Sequence, residues 1–79
     1  MVVVVHLHTV LQRKGPEGSI SRLVVELPTE SDLAALLRLL EIQMDPEELL
    51  LVVNTRTAPL EQALRDGDEV HLIPALAGG

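Results

Sequence analysis

Apolar and polar positions alternate along the first third of the chain, which indicates two β-strands. In residues 2–11 one face of the predicted strand is apolar and the other carries two histidines, with Val3, Val5 and Leu7 opposite Val4, His6 and His8. In residues 20–27 the alternation returns, with Leu23, Val25 and Leu27 inward and Arg22, Val24 and Glu26 outward. The polar segment 12–19 contains two glycines and a proline, so it is predicted to be the loop of a hairpin.

Helical periodicity replaces this alternation after Pro28, which ends the second strand. Four leucines recur at i, i+3, i+4 and i+7 and therefore share one side of a helix: Leu33, Leu36, Leu37 and Leu40. Thr29 or Ser31 is predicted to cap this helix, and Asp32 to add negative charge to its first turn. The helix is expected to end near 41–43, because the residue before the next proline avoids helical geometry.

The second half of the chain contains short strands separated by turn signals. Residues 49–54, "LLLVVN", form an apolar run too short for an independent helix, so a buried strand is predicted. Asn54 and Thr55 predict a tight turn into a return strand at 56–58. Three further elements are expected: one helical or 3-10 turn at 59–64, a turn at Asp66-Gly67-Asp68, and a last strand at 69–73 with Val70 and Leu72 inward and His71 and Ile73 outward.

The predicted order of elements is β-β-α-β-β-β, with one substantial helix. The economical arrangement is an α+β fold in which the helix packs on one face of a mixed sheet of four to five strands. The connection from the second strand through the helix lets a later strand run parallel to an early one. This order is that of the ubiquitin-like β-grasp fold.

Composition narrows the classes of function. The 79 residues include no cysteine, which removes disulfides, thiolate metal sites and cysteine catalysis. The formal net charge of −6 argues against a nucleic-acid-binding module, which needs a basic face. The apolar start of the chain is too short and too polar to span a membrane, and it lacks the basic region of a signal peptide. A cytoplasmic protein of one small domain is therefore expected.

A series of short motifs at fixed spacing fills residues 49–79. The series is Val53-Asn54, Leu64, Asp66-Gly67-Asp68-Glu69-Val70, Leu72-Ile73-Pro74 and Gly78-Gly79. It resembles the pattern of the MoaD/ThiS family of ubiquitin-like sulfur carriers, which the front half of the chain fits more loosely. The resemblance implies a β-grasp domain at 1–74 and a flexible tail at 75–79 that ends in Gly-Gly.

The resemblance also implies that the tail performs the function. In the family, an ATP-dependent adenylating enzyme of the ubiquitin-activating type joins AMP to the C-terminal carboxylate, here that of Gly79, using ATP and magnesium. Sulfur transfer then gives a thiocarboxylate, and Gly78 lets the backbone approach the nucleotide because it has no side chain. The chain would thus be a carrier rather than an enzyme, bind no cofactor itself, and resemble most the small subunit of molybdopterin synthase.

Other functions are compatible with the same sequence. The sulfur could serve thiazole (thiamine) synthesis or tRNA thiolation, or Gly79 could be conjugated to a lysine of another protein, as in ubiquitin-like modifiers. A stand-alone β-grasp interaction module would need no tail chemistry. Deleting Gly79 separates this last hypothesis from the others.

Partner contacts are predicted on the tail and on the sheet face beside it, at His8, Ile73, Pro74, Ala75, Leu76 and Ala77. Val4 is expected to extend the apolar patch of Ile73 and His8. Two positions depart from the family pattern. Thr55 stands where the family often has glycine, which is expected to alter a turn but not the tail. His8 stands where an apolar or aromatic residue is usual, which changes the partner surface.

Three histidines share the outward face if the first and last strands are neighbours: His6, His8 and His71. Such a cluster could bind a metal or make docking pH-sensitive. The alternative is three separate side chains on a solvated or partner-covered face. No acidic or cysteine ligand clearly completes a metal set, so no metal is assigned from the sequence.

Overall fold

The computed structural model describes residues 1–8, 11–16, 18–42 and 45–75. Within these ranges the chain forms one α-helix, α1 (Leu33–Leu39), a 3-10 turn (Pro46–Glu48) and seven strands: β1 (Val2–Leu7), β2 (Arg13–Gly15), β3 (Gly18–Ile20), β4 (Arg22–Glu26), β5 (Leu49–Val53), β6 (Arg56–Thr57) and β7 (Glu69–Pro74). Five strands form the main sheet in the order β4-β1-β7-β5-β6. β1 and β7 are parallel, and the other neighbours are antiparallel. The predicted mixed sheet with adjacent first and last strands is confirmed.

The hydrophobic core lies between α1 and one face of the main sheet. Its fully buried members are those that the alternation and the leucine stripe placed inside: Val3, Val5, Leu7, Leu33, Leu36, Val70 and Leu72. Seven more residues, from β4, α1, β5 and the connections between elements, complete the core: Val25, Leu27, Leu37, Leu40, Leu49, Leu51 and Leu64. The opposite face of the sheet is therefore left without a helix among the described residues.

The segment 12–19 forms a second hairpin, so the prediction of a plain loop was wrong. Arg13–Gly15 pairs with Gly18–Ile20 as a separate two-stranded sheet. Gly18 has a φ of 120°, a conformation that residues with a side chain rarely adopt. The Arg13 guanidinium donates to the Leu40 carbonyl at the end of α1. Because no apolar residue is buried among those whose burial the structure describes in this segment, its strands gave no alternating signal.

β1 and β4 are shorter than the predicted strands at 2–11 and 20–27. β1 ends at Leu7 because the chain then turns, and the Leu11 N–H donates to the His8 carbonyl at 3.1 Å. Thr9 and Val10 lie outside the described residues. The predicted inward and outward faces of both strands hold, except that Leu23 is only half-buried.

Asp32, rather than Thr29 or Ser31, caps the N-terminus of α1. Its backbone is extended, and its Oδ1 accepts a hydrogen bond from the Ala35 N–H at 2.9 Å. The Ser31 hydroxyl instead donates to the Pro28 carbonyl at 2.7 Å. The cap therefore lies at Asp32, the residue that the sequence had placed inside the first turn.

The end of α1 has the hydrogen bonds of a Schellman motif. The Ile42 N–H donates to the Leu37 carbonyl and the Glu41 N–H to the Arg38 carbonyl, both at 3.1 Å. Glu41 holds a φ of 56° at the position where glycine is usual. The helix thus ends at Leu39, slightly earlier than predicted, because this turn reverses the chain.

The segment 59–64 contains the single turn that the sequence predicted there. The Gln62 N–H donates to the Pro59 carbonyl at 3.0 Å, which closes a single turn. The carbonyls of Leu60 and Gln62 accept from the N–H groups of Ala34 and Leu33, at 3.0 and 3.1 Å. The first N–H groups of a helix have no carbonyl partner within that helix. The carbonyls of segment 59–64 therefore satisfy the first two N–H groups of α1.

Within the described residues, no helix is long and apolar enough to cross a membrane.

Candidate functional site

The last strand delivers the C-terminal segment from the middle of the sheet. Ile73 pairs with Leu50 and Pro74 with Leu49, and the Ala75 N–H donates to the Glu48 carbonyl at 2.7 Å. Pro74 itself has no N–H to donate. The hydrogen bond from Ala75 is the last backbone hydrogen bond described at this end of β7. The predicted tail residues Leu76, Ala77, Gly78 and Gly79 lie outside the described residues.

The Val-Asn and Asp-Gly-Asp-Glu-Val motifs meet in one hydrogen-bonded network at the other end of β7. The Asn54 amide group donates to Asp68 Oδ1 at 2.8 Å and accepts from the Glu69 N–H at 2.9 Å. Asp68 Oδ2 accepts from the Arg65 N–H at 2.8 Å. The network joins the β5–β6 turn to the start of β7, so these residues hold the two parts of the sheet together.

The turn at Asp66-Gly67-Asp68, which precedes β7, also attaches the start of β7 to β1. Asp66 Oδ1 accepts from the Val2 N–H, and the Gly67 N–H donates to the Val2 carbonyl, both at 2.7 Å. Gly67 has a φ of 87°, which confirms the turn predicted at this glycine. The start of the last strand is thus anchored to both of its neighbours.

The outer face of the main sheet is defined here as the face opposite α1. Ile73, Leu50 and Val52 form an apolar group on β7 and β5, since Leu50 pairs with Ile73 and Val52 with His71. Leu50 is 41% exposed. The sequence did not identify Leu50 and Val52, because the continuous run "LLLVVN" conceals which of its residues point outward.

Of the predicted partner contacts, His8, Ile73, Pro74 and Ala75 lie together at the end of β7. The His8 N–H donates to the Leu72 carbonyl at 3.2 Å, and Ala75 is exposed while the other three are half-buried. Val4 lies apart from this group, because it pairs with Glu69 at the beginning of β7. The paired residues His6 and His71 lie between Val4 and Ile73 on this face.

His71 contacts both of the other histidines on the outer face. The rings of His6 and His71 stack with centroids 4.3 Å apart and planes 10° from parallel. His8 Nε2 lies 3.0 Å from His71 Nδ1, and His6 Nε2 lies 3.3 Å from Glu69 Oε1. Removal from water, followed by the positive charge that His6 and His8 can carry, lowers the pKa of His71, and Glu69 acts in the opposite direction.

The cluster does not have the form of a three-ligand metal site. Among the residues that the structure describes, no group of three or more His, Asp or Glu side chains is arranged to hold a metal ion. The predicted neighbourhood of the histidines is therefore observed, whereas a complete ligand set is not.

The comparisons with known proteins agree on a family and a fold. The family model described as "ThiS family" matches residues 11–79. A search of curated proteins found no match. SAMP1 from Haloferax volcanii has a similar structure, with a TM-score of 0.79 and 18% identity over the whole of both chains.

Two further solved structures share the fold. One is described as a molybdopterin converting factor, subunit 1, from Pyrococcus furiosus (TM-score 0.75, 18% identity, 95% of this chain and 98% of that chain). The other is from a complex of subunits 1 and 2 of molybdopterin-converting factor from Helicobacter pylori (TM-score 0.67, 20% identity, 100% of both chains). The predicted ubiquitin-like β-grasp fold is confirmed by these similarities.

Proposed function

The chain belongs to the ThiS family, and from that premise we propose that it is a sulfur carrier that acts through the carboxylate of Gly79. The ubiquitin-like sulfur-carrier fold supports this proposal, as does a family match that extends through Gly79. The structural observation that carries it is the position of β7. This central strand is held by both neighbours and ends at Pro74, and the Ala75 N–H that follows it is bound to the Glu48 carbonyl.

The proposed reaction has two steps. A carboxylate oxygen of Gly79 attacks the α-phosphorus of ATP, pyrophosphate leaves, and an acyl-adenylate forms. Sulfide-level sulfur, written as HS⁻, then attacks the acyl carbon, AMP leaves with the bonding electron pair, and loss of a proton gives the thiocarboxylate. ATP and magnesium belong to the adenylating partner, which supplies the catalysis, so this chain acts as its substrate and not as an enzyme.

The chain contributes reach and a narrow profile to this reaction. The four residues after Ala75 span at most about 13–14 Å when fully extended. Gly78 and Gly79 have no Cβ, so their backbone fits a channel that would exclude larger residues. The hydrogen bond from Ala75 to Glu48 fixes the point from which this reach is measured.

We assign the sulfur to molybdopterin synthesis, with a larger synthase subunit as the acceptor. Two of the similar structures are described as molybdopterin converting factor subunits, and one of them is in complex with a second subunit. The apolar group of Ile73, Leu50 and Val52 and the adjoining His8 form the proposed docking surface beside the tail. Pro74, which pairs with the buried Leu49, borders this surface at the end of β7. Thiazole synthesis and tRNA thiolation would use the same tail with a different acceptor.

The test is the intact mass of the protein isolated from its native host. The carrier function predicts a form in which one oxygen is replaced by sulfur, and fragmentation should place that sulfur on Gly79. A chain lacking Gly79 should never acquire the sulfur, whereas Thr57→Ala, at the far edge of the sheet, should acquire it normally.

Two results would count against the proposal. If the host needs molybdopterin synthesis to grow but contains only unmodified protein, the proposed carrier function is wrong. Isopeptide-linked adducts through Gly79, without any thiocarboxylate, would instead identify a protein modifier. Loss of one cofactor on deleting the gene, with the others unaffected, would identify the acceptor pathway.

A further inference from the structure

A hydrogen bond between two histidine rings crosses the parallel strand pair on the outer face. His8 Nε2 and His71 Nδ1 are 3.0 Å apart while the ring centroids are 5.3 Å apart, so the two nitrogens meet head-on. We propose that this hydrogen bond is a pH switch on the proposed docking surface, closed while at least one of the two rings is neutral and open when both are charged. The switch belongs to the chain itself, and only its effect on docking rests on the proposed function.

The number of protons on the two rings decides whether the hydrogen bond can form. It needs one N–H and one lone pair, and a neutral imidazole has one of each. Two neutral rings can therefore form it, and so can one charged ring that donates to a neutral one. Two charged rings cannot, because both facing nitrogens then carry a hydrogen and the like charges repel each other. The proton that charges the second ring is thus the one that opens the contact.

The surroundings of His71 set the pH at which the second ring becomes charged. Its ring stacks on that of His6, with centroids 4.3 Å apart, in addition to the contact with His8. Removal from water, and then charge on His6 and His8, lowers the pKa of His71. This ring is therefore still neutral at neutral pH, and the switch opens in acid below the usual histidine value of about 6.5.

Among the described residues, Glu69 and Arg22 are the other charged groups that face the cluster. Glu69 on β7 has its Oε1 3.3 Å from His6 Nε2 and favours charged rings, whereas Arg22 on β4 pairs with His6 and disfavours them. β5 contributes the uncharged Val52, which pairs with His71. The two facing nitrogens have no other hydrogen-bond partner in the described part of the chain, so separation of the rings is what accommodates the last proton.

Opening changes the docking surface in two ways. His8 loses the side-chain contact that holds it beside β7, and a second positive charge appears next to the apolar group that contains Ile73. A charged ring that is covered by a partner loses its hydration, which costs free energy unless the partner supplies a counter-charge. The open form should therefore dock less tightly than the closed form.

Nuclear magnetic resonance of the full-length protein, labelled with ¹⁵N in the histidine rings, tests the switch between about pH 8.5 and about pH 5. The nitrogen shifts report the protons on each ring, and Overhauser effects report whether the rings of His8 and His71 are in contact. We expect the contact to be lost as the second ring becomes charged. The amide signals of Val3 and Val5 in the core should stay unchanged, which distinguishes opening from unfolding.

His6→Gln and His8→Gln are matched variants, because each removes one ring that contacts His71 and only the second removes the hydrogen bond. In His6→Gln the contact between His8 and His71 should still be lost in acid. In His8→Gln the substituted side chain should stay in contact with His71 at every pH. An amide can donate its N–H to a neutral ring and offer its oxygen to a charged one.

The effect on docking is measured as the Kd for the host's larger synthase subunit, by calorimetry at neutral pH and at one pH unit below the midpoint of opening. About one chain in eleven is closed at the lower pH, so the Kd should rise about tenfold if only the closed form binds. The same change of pH should alter the Kd of His8→Gln clearly less, whatever its affinity at neutral pH.

The proposal is wrong if the rings of His8 and His71 stay in contact when both are charged, or if His8→Gln loses the contact in acid as the unaltered protein does. It is equally wrong if acid weakens docking by the same factor in both proteins. A subunit that binds at no pH would instead count against the proposed docking surface, and the ring contacts would still decide whether the switch exists.

Discussion

Replacing Thr55 with glycine should stabilise the protein. Asn54 and Thr55 form the two-residue turn between the paired residues Val53 and Arg56, and both have positive φ, at 49° and 76°. This combination is the type I′ hairpin pattern, in which Asn-Gly is preferred. Thr55 is β-branched, and its backbone lies where such residues are outliers. Glycine is also the residue that the family resemblance implies at this position.

The magnitude follows from two opposing effects. A left-handed conformation costs a residue with a side chain about 1–2 kcal/mol relative to glycine. Glycine loses more chain entropy on folding, which offsets about 0.5–1 kcal/mol of that gain. The Thr55 side chain is exposed and makes no hydrogen bond with a described residue, so no contact is lost. The middle of each range gives an expected net stabilisation of about 0.75 kcal/mol, or a rise in Tm of about 3–6 °C for a domain of this size.

Urea unfolding followed by circular dichroism measures this change, and calorimetry gives the matching Tm. Thr57→Gly is the matched control, because Thr57 lies in the same hairpin but in β6, where glycine should destabilise by about 0.5–1 kcal/mol. A Thr55→Gly protein that is no more stable than the original, beside a Thr57→Gly protein that is weakened as expected, would refute the backbone argument.

Three further predictions concern the cap, the network and the histidine cluster. Asp32→Ala should cost about 1 kcal/mol in urea unfolding and Ser31→Ala clearly less, because only Asp32 accepts from the helix; equal losses would contradict the cap assignment. Asp68→Ala should lower the free energy of unfolding by about 1–2 kcal/mol, because it removes two hydrogen bonds. The control Glu61→Ala, at an exposed position, should change it by no more than about 0.5 kcal/mol. The lowered pKa of His71 means that the unfolded chain binds more protons, so the free energy of unfolding should fall as the pH drops below about 6.5. His71→Gln should reduce this slope, and an unchanged slope would show that His71 is not its source.

The sequence predicted the elements that alternate or repeat around a buried face. Val3, Val5 and Leu7 in β1 and the leucine stripe of α1 are buried as expected, because each pattern reports burial directly. It did not predict the β2–β3 hairpin, which depends on the φ of Gly18 and on the contact between Arg13 and the end of α1. Polar strands without a buried face leave no periodic signal.

Some features of the candidate site could likewise be predicted from the sequence, and others could not. The adjacency of His6 and His71 followed from placing the first strand beside the last, and their pairing confirms it. The ring contacts that make His8 and His71 a facing pair depend on side-chain rotamers, which no sequence pattern specifies. The outward positions of Leu50 and Val52 depend on the register of β5, which an uninterrupted apolar run leaves undetermined.

The parallel pairing of β1 and β7 has a consequence for how the domain folds. Strands from opposite ends of the chain must meet before the sheet is complete, and such distant contacts slow folding because a long loop must first close. A chain interrupted before β7 would leave β1 and β5 without the strand that joins them and would have no complete core. Folding is therefore a check on chain completeness: a copy with a native sheet has been synthesised at least through Pro74, the last residue of β7.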